Sequence, residues 1–335
     1  MSNKYISFIT VTRNDDYIKD QISKIITSTN ILISKLSEYK IFSEIIFVEW
    51  NPDPNKKPLK KELTKIKHSL FTTVNLISVD CSFHMNLKYN NINPLSGERG
   101  ANVGIRRASG KFIAIKAQDT LYSDGFYKTL SKKLLKEDQI NIIERIIIDE
   151  SKITNTPNRI KNNFQLGFKR KRNNFLLPYS AKSSGDSLIL EKKYWVKFRG
   201  IKEKMQSITL GLDGDFFYTA LGYGLIVNIM DYKEIHVLKP SHEKMFSIST
   251  KNTIKNPSTE IVFGTIIDFI KKDKVYYKNI PIGRKSFLFI GFIFRRLFKY
   301  SYLLKSEDWG LKHYNLINKE LLSNKIIYSE IKSIS

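Results

Sequence analysis

Short, almost uninterrupted apolar runs alternate with amphipathic segments along the first third of the chain. The apolar runs are "YISFITVT", "EIIFVEW", "TVNLISVD" and the segment Phe112–Ala117. Between the first two, the segment 16–36 places Ile18, Ile22, Ile25 and Ile26 at helical spacing. Strands that alternate with helices predict an α/β fold with a mostly parallel central sheet and helices on both faces. The near-continuous apolar runs are typical of strands buried on both sides.

The pattern changes beyond position 150. Residues 151–184 are polar, rich in Asn and Lys and without clear periodicity, which predicts a long loop. "GDSLILEKKYWVKFRGIKE" then predicts a strand, a short helix and a turn, and "LGLDGDFFYTALGYGLIVNIM" predicts a helix followed by a strand. We therefore expect one α/β domain over residues 1–248 and a helical C-terminal extension over residues 249–335.

Composition indicates a folded chain in a reducing compartment. The 335 residues are 41% hydrophobic and 12% aromatic, which predicts a substantial core. The single cysteine, Cys81, excludes an intramolecular disulfide and provides no zinc-ligand spacing. The N-terminus "MSNKYISFITVTRND" has no small-residue cleavage site, so it is interpreted as a first strand and not as a signal peptide. No segment approaches the roughly 18 apolar residues that span a bilayer.

The formal net charge of +24 would attract a polyanion such as nucleic acid, a nucleotide diphosphate or an anionic membrane. A coding bias toward Ile, Lys and Asn explains the excess equally well. The densest basic run, "FKRKRNNF", is short, and the chain has no zinc finger, RNP-type strand or helix-turn-helix signature. We therefore expect no nucleic-acid partner.

Polar side chains follow three of the predicted strands where each strand ends. The first strand leads into Thr12, Arg13 and Asn14, the second into Glu49 and Asn51, and the fourth into Gln118 and Asp119. Ligands of open α/β sheets bind at the carboxyl ends of the strands. These side chains are therefore candidates for contact with a ligand at one edge of the sheet.

The helix predicted over Glu98–Ser109 precedes the fourth strand. Ala101, Ile105 and Ala108 form an apolar stripe that would pack on the sheet, with Gly110 as a helix stop. Asn102 and Arg106 lie four residues apart on another face, where they could meet a ligand. An ordinary strand–helix–strand unit explains the same spacing.

The order of these features resembles the GT-A nucleotide-sugar glycosyltransferases, especially family 2. The resemblance extends over about residues 5–245. It rests on an "N-x-G-x-x-x-A-x-G" helix with Asn102 and Gly104, on a following strand that ends at Asp119, and on "LDGDFFYTALGYG", which is similar to the helix that carries the family's catalytic base. "VEWNP" and "NVGIRRASG" also resemble a subgroup of family-2-like proteins. In this family, residues 1–120 would bind the nucleotide and residues 121–248 the acceptor.

The resemblance implies a role for each candidate. Asp119 would hold Mg²⁺ or Mn²⁺, with His242 as a late metal ligand, and Asp213 would deprotonate the acceptor in a single inverting displacement. The nucleotide would be contacted by Thr12, Arg13, Asn14, Glu49, Asn51, Asn102, Arg106 and Gln118. The donor would be a nucleotide-diphosphate sugar and the acceptor a glycan or a lipid-linked molecule.

Two departures from the family pattern keep other interpretations open. The family's D-x-D motif corresponds to "AQD", which retains only its last acid, and Leu212 stands where an acid precedes the catalytic base. A catalytically degenerate sugar-nucleotide-binding protein and a nucleotidyl or phosphosugar transferase of related fold are the alternatives. The aromatic and basic segment 283–305 could lie on an anionic membrane or pack against the domain, so we expect a cytoplasmic protein that could be peripheral at the inner face of a membrane.

Overall fold

The computed structural model describes residues 4–15, 20–87, 90, 94–149, 168–169, 188–201, 203, 216, 220, 223, 225–238, 307–322 and 326–332. The helices are α1 (Gln21–Glu38), α2 (Leu59–Leu63), α3 (Cys81–Met85), α4 (Gly97–Arg107), α5 (Asp124–Ser131) and α6 (Lys192–Lys197). The first strands are β1 (Ile6–Thr12), β2 (Ser43–Trp50), β3 (Thr72–Val79), β4 (Phe112–Ile115) and β5 (Leu121–Tyr122). They are followed by β6 (Gln139–Asp149), β7 (Phe168–Lys169), β8 (Leu188–Glu191), β9 (Ile226–Leu238), β10 (Ile317–Leu322) and β11 (Ile326–Ile331).

All the described strands belong to one mixed sheet. Ten of them follow the order β10-β11-β3-β2-β1-β4-β8-β6-β9-β5, and β7 pairs with β6. The pairs from β11 through β3, β2 and β1 to β4 are parallel, whereas β8 is antiparallel to both of its neighbours. The predicted α/β fold with a mostly parallel central sheet is therefore confirmed.

Helices cover both faces of this sheet, as the apolar patterns predict. On one face, α4 packs against β1 and β2 through Ala101, Val103 and Ile105. Its glycines permit this close approach, because a Cβ at Gly104 would lie 2.6 Å from Cγ2 of Ile9. On the other face, α1 and α5 bury a second apolar cluster against the alternate residues of the same strands.

The strands β1 to β4 are close to the positions that the apolar runs predict. In the lysine-rich segment 56–70, between β2 and β3, only Leu59–Leu63 is helical. Leu59, Leu63 and Ile66 are the buried apolar residues of this segment. Three such contacts give little packing energy to a helix, and short helices are marginal without packing.

Most of the predicted loop at 151–184 lies outside the described residues. Within it, Phe168–Lys169 forms β7 and pairs with Ile146 and Ile147 of β6. The segment after the loop is confirmed as a strand, a short helix and a turn, namely β8, α6 and the turn that follows α6. None of the helices within the described residues is long and apolar enough to cross a membrane.

A helical extension is predicted over 249–335, and its described residues, 307–322 and 326–332, form turns and strands, whereas 249–306 lie outside the described residues. Residues 307–313 form turns, and β10 and β11 are strands. β11 pairs in parallel with β3, so the sheet continues beyond the strand that would otherwise form its edge. The β-forming residues of "IIYSEI" and the burial of Ile326, Tyr328 and Ile331 explain why this segment forms a strand.

Candidate active site

The carboxyl ends of β1, β2 and β3 lie side by side at one edge of the sheet, which we call the carboxyl edge. In the parallel register, Thr12 pairs with Glu49, and Glu49 pairs with Ser78. β4 runs parallel to β1 on the other side and leads to Asp119. The predicted side chains therefore come from strand ends that meet at the same edge.

Arg13 links the loops that follow β1 and β2. Its Nε donates to the carbonyl oxygen of Asn51 at 2.5 Å, and its guanidinium lies 3.2 Å from Asp15 and 3.8 Å from Asp53. Asn14 donates to the carbonyl oxygen of Lys57. The two loops are therefore tied together by side chains that remain partly accessible.

Asn51 has a structural role at the end of β2. Its φ of 54° is in the left-handed region, which asparagine tolerates better than most residues. Its Nδ2 donates to the carbonyl oxygen of Pro94 at 2.9 Å. Next to it, Trp50 donates to Nδ1 of the buried His84 at 3.0 Å. These bonds hold the start of the segment before α4 against the carboxyl edge, and they give His84 a structural role.

Asp119 lies in a turn immediately after β4. The amide of Thr120 donates to the carbonyl oxygen of Ala117 at 3.3 Å, so Asp119 is the third residue of a four-residue turn. The Asp119 side chain is half-buried. Gln118 fixes the turn to β1, because its Nε2 donates to the carbonyl oxygen of Val11 at 3.1 Å.

A cleft of about 510 Å³ opens beside the loop that follows β1. Asn14 and Asp15 line it from the loop after β1, Gln21 lines it from α1, and Glu62 and Lys65 line it from α2 and the residues after α2. Gln21 also donates to Oε1 of Gln118 at 2.7 Å. This hydrogen bond links a residue that lines the cleft to the turn that carries Asp119.

Two of the predicted nucleotide contacts are enclosed at the carboxyl edge. Thr12 is fully buried and accepts a hydrogen bond from Gln21 at 3.2 Å. Glu49 is 4% exposed, and its carboxylate accepts from the amide of Leu59 and the hydroxyl of Ser78, each at 3.3 Å. Both side chains position neighbouring elements in this structure. Their contact with a nucleotide stays a prediction.

Burial raises the pKa of Glu49 from its ordinary value of 4.5 to about 6, against the opposing effect of its two hydrogen bonds. An acid whose pKa is raised by folding contributes most to stability below its unfolded pKa, and this contribution is lost as the pH rises through about 6. We expect Glu49→Gln to remove this pH dependence of the free energy of unfolding, which amounts to about 2 kcal/mol. Urea unfolding of both proteins at several pH values measures it, and parallel stability curves would contradict the assignment.

Asn102 is fully buried. Its amide donates to the carbonyl oxygen of Ile201 at 2.7 Å and to Glu203 at 2.8 Å, and its Oδ1 accepts from the amide of Ile201 at 2.8 Å. These bonds occupy the Asn102 side chain, and its contact with a nucleotide stays a prediction. Asn102 anchors the turn at 200–203 to α4, and the left-handed φ of Gly200 allows the turn to approach it closely.

The arginines of α4 hold the C-terminal segment. Arg106 donates to the carbonyl oxygen of Trp309 at 3.1 Å, and its guanidinium lies 4.6 Å from the centre of the Trp309 ring. Arg107 donates to three carbonyl oxygens of this segment, those of Gly310 at 2.8 Å and of Leu311 and Tyr314 at 2.9 Å each, and to that of Val103 within α4 at 3.2 Å. Arg99 donates to the carbonyl oxygen of Glu203 at 2.6 Å. The structure thus places Arg106 against Trp309, and its contact with a phosphate stays a prediction.

Asp213 and His242 lie outside the described residues, so their predicted roles as base and metal ligand stay predictions. The described part of the chain contains no cluster of three or more His, Cys, Asp or Glu side chains that could hold a metal. Asp119 alone is nevertheless compatible with Mg²⁺, which proteins commonly bind through one or two carboxylates together with substrate phosphates and waters.

Sequence reasoning missed two charged residues that organise this region. Lys116 interrupts the apolar strand "FIAIK" and is 3% exposed. Arg107 follows Arg106 at the end of α4 and binds the C-terminal segment. A lysine within an apolar run was a visible signal, whereas the partners of Arg107 lie 203 to 207 residues away in the chain.

Among proteins with solved structures, the chain is similar to S. aureus TarS 1-349. The structure described as a complex with UDP-GlcNAc has 12% sequence identity and a TM-score of 0.46, over 89% of this chain and 74% of that chain. A second TarS 1-349 structure has 12% identity and a TM-score of 0.44, over 84% and 77% of the two chains. A third, in complex with UDP, has 10% identity and a TM-score of 0.42, over 96% and 98%.

No family model and no curated protein sequence matches the chain. The activity proposed below therefore rests on the residues of this chain and their geometry.

Proposed function

We propose that this chain is a GT-A-type glycosyltransferase that uses a divalent cation to move a sugar from a nucleotide-diphosphate sugar to a glycan or a lipid-linked acceptor. The observation that carries the proposal is the junction of β1 and β4 at the carboxyl edge. The hydrogen bond from Gln118 to Val11 places the turn of Asp119 next to the loop that bears Arg13 and Asn14. A carboxylate for a metal and donors for a nucleotide thus come together where open α/β sheets bind ligands.

The cleft beside this junction supports binding of the nucleotide. Its volume of about 510 Å³ is within the range of small-molecule sites. Asn14 lines the cleft with a side-chain amide, and Arg13 supplies a positive charge at the adjacent loop. Contact with the nucleotide stays a prediction for all the residues named for it, which are Thr12, Arg13, Asn14, Glu49, Asn51, Asn102, Arg106 and Gln118.

Transfer of the sugar requires stabilisation of the leaving diphosphate and removal of a proton from the acceptor hydroxyl. In this proposal, Asp119 and His242 hold Mg²⁺ or Mn²⁺, which would neutralise charge that develops on the diphosphate. Asp213 accepts the proton of the acceptor in a single displacement that inverts the anomeric centre. The ordered motif set around Asn102, Asp119 and Asp213 supports these roles.

A donor screen tests the proposal. We expect nucleotide release from one of the UDP-, GDP-, CMP- or dTDP-sugars in the presence of Mn²⁺ or Mg²⁺. Asp213→Asn should retain binding of that donor by calorimetry and lose transfer, because the amide cannot accept the proton. Unchanged turnover of Asp213→Asn would remove the base assignment.

The loss of the first acid of the D-x-D motif favours one competing function. Ala117 has no carboxylate, and the Gln118 side chain is engaged by Gln21 and Val11. A chain that binds a sugar nucleotide without transfer would therefore show donor binding and no release of product in the same screen. A nucleotidyl or phosphosugar transferase would be distinguished by its products.

A lipid-linked acceptor would place the protein in the cytoplasm, peripheral to the inner face of a membrane. The net charge of +24 and the aromatic and basic sequence of 283–305 support this proposal. Flotation of the full chain with anionic vesicles measures such contact. Equal recovery with neutral and anionic vesicles would contradict it.

A further inference from the structure

A buried lysine lies directly behind the turn that carries Asp119. The amide of Lys116 donates to the carbonyl oxygen of Ile9 at 2.8 Å, so the residue continues the ladder between β4 and β1. Its side chain is 3% exposed and extends toward α1, where its Nζ lies 3.3 Å from Oγ of Ser28. The ammonium group is therefore enclosed between the sheet and a helix.

The Lys116 ammonium binds the backbone of the turn itself. Nζ donates to the carbonyl oxygen of Ala117 at 2.9 Å and lies 3.5 Å from that of Gln118. The Ala117 carbonyl also accepts from the amide of Thr120, which closes the turn. One lysine thus fixes the carbonyl group on which the geometry of the turn depends.

Two hydroxyl groups complete this arrangement. The hydroxyl of Ser28 donates to the carbonyl oxygen of Gln118 at 2.6 Å, and that of Thr10 donates to the carbonyl oxygen of Lys116 at 3.2 Å. Side chains therefore hold the carbonyl groups of three successive residues, Lys116, Ala117 and Gln118. The peptide planes that lead to Asp119 have little freedom to rotate.

The chemistry of burial argues that this lysine has a specific role. Enclosing an ammonium group is costly unless its protons are accepted, and an apolar side chain would pack in the same strand without that cost. Two of the contacts that offset this cost are with the carbonyl oxygens of Ala117 and Gln118, just before Asp119. A metal ligand must be held within a fraction of an ångström by the groups around it.

We propose that Lys116 is a positioning residue that fixes the turn of Asp119 and, through it, sets the affinity for a divalent cation together with a nucleoside diphosphate. The second part rests on the function proposed above. Lys116 does not contact the ligand in this proposal. It acts by holding the backbone from which the carboxylate extends.

Hydrogen exchange tests the first part, and calorimetry with Mn²⁺ and UDP tests the second. We expect Lys116→Met to speed exchange of the Thr120 amide at least about tenfold, because the Ala117 carbonyl is released, with the melting temperature retained. Affinity for UDP in the presence of Mn²⁺ should fall about tenfold, the effect typical of groups that orient a metal ligand. Affinity for UDP without metal should not change.

Lys111→Met is the matched control, because Lys111 lies at the other end of the same strand and is paired with the exposed Glu137. It should change neither measurement. Ser28→Ala is a second variant that removes one bond to the turn and should reproduce both effects more weakly, so the proposal stays testable if Lys116→Met fails to fold.

The outcomes separate the two proposals. Unchanged exchange of Thr120 in both variants would overturn the positioning role. Faster exchange with unchanged affinity for UDP and Mn²⁺ would overturn its link to the metal. Faster exchange in a protein whose wild type binds no UDP with Mn²⁺ would support the positioning role and count against the proposed transferase.

Discussion

Asp119→Asn should reduce sugar transfer by at least about 100-fold while the protein remains folded. The amide has the shape of the carboxylate but lacks its charge, and divalent cations such as Mg²⁺ prefer charged oxygen ligands. The described residues supply no cluster of alternative ligands around Asp119. We therefore expect the loss to appear both in turnover and in Mn²⁺-dependent binding of UDP.

Asp138→Asn is the matched control for this change. The Asp138 side chain is 63% exposed and precedes β6, which places it at the edge of the sheet opposite the carboxyl edge. It should leave transfer and UDP binding unchanged. Equal activity of Asp119→Asn and Asp138→Asn would contradict the proposal that Asp119 holds the metal.

Arg107→Met should destabilise the protein by about 3 kcal/mol, because three carbonyl groups of the C-terminal segment would lose their charged donor. Burial, followed by repulsion from Arg106, lowers the pKa of the Arg107 guanidinium to about 10. Its cation is thus held in a poorly solvated position by backbone dipoles. Methionine can occupy the same space but offers no donor to these carbonyl groups.

Two further variants separate the hydrogen bonds from the charge. Arg107→Lys retains the charge but cannot reach all three carbonyl groups from one planar fork, so we expect an intermediate loss of stability. Arg199→Met removes an ion pair with Glu307, whose side chain is 76% exposed, and should cost less than about 1 kcal/mol. Urea unfolding measures all three, and similar losses for Arg107→Met and Arg199→Met would contradict the role of Arg107.

Local sequence predicted much of the central sheet correctly. The runs that form β1, β2, β3 and β4 are apolar on both faces, and such strands have few alternatives to burial in a parallel sheet. The position of Asp119 just beyond β4 follows from the same pattern. The role of Asp119 as a metal ligand and the role of Asp213 as the base are still predictions.

The same reasoning could not decide which polar groups at the carboxyl edge are accessible. Thr12, Glu49 and Asn102 have the residue types of ligand contacts, yet all three are buried. Their hydrogen-bond partners come from α1, α2, β3 and the turn at 200–203. A polar side chain at a strand end forms hydrogen bonds with the donors or acceptors that the fold brings near it. These partners come from distant segments, so the local sequence does not contain them.

The sequence by itself determined the alternation of strands and helices, the buried strands of the central sheet and the placement of an acid beyond the fourth strand. These features depend on the spacing of apolar residues within a single helix or a single strand. Only the tertiary structure decided that β11 extends the sheet beside β3, that Arg107 binds residues 310–314, and that Lys116 lies behind Asp119. Those contacts join segments far apart in the chain or depend on the direction of a side chain, so they exist only once the whole domain has packed.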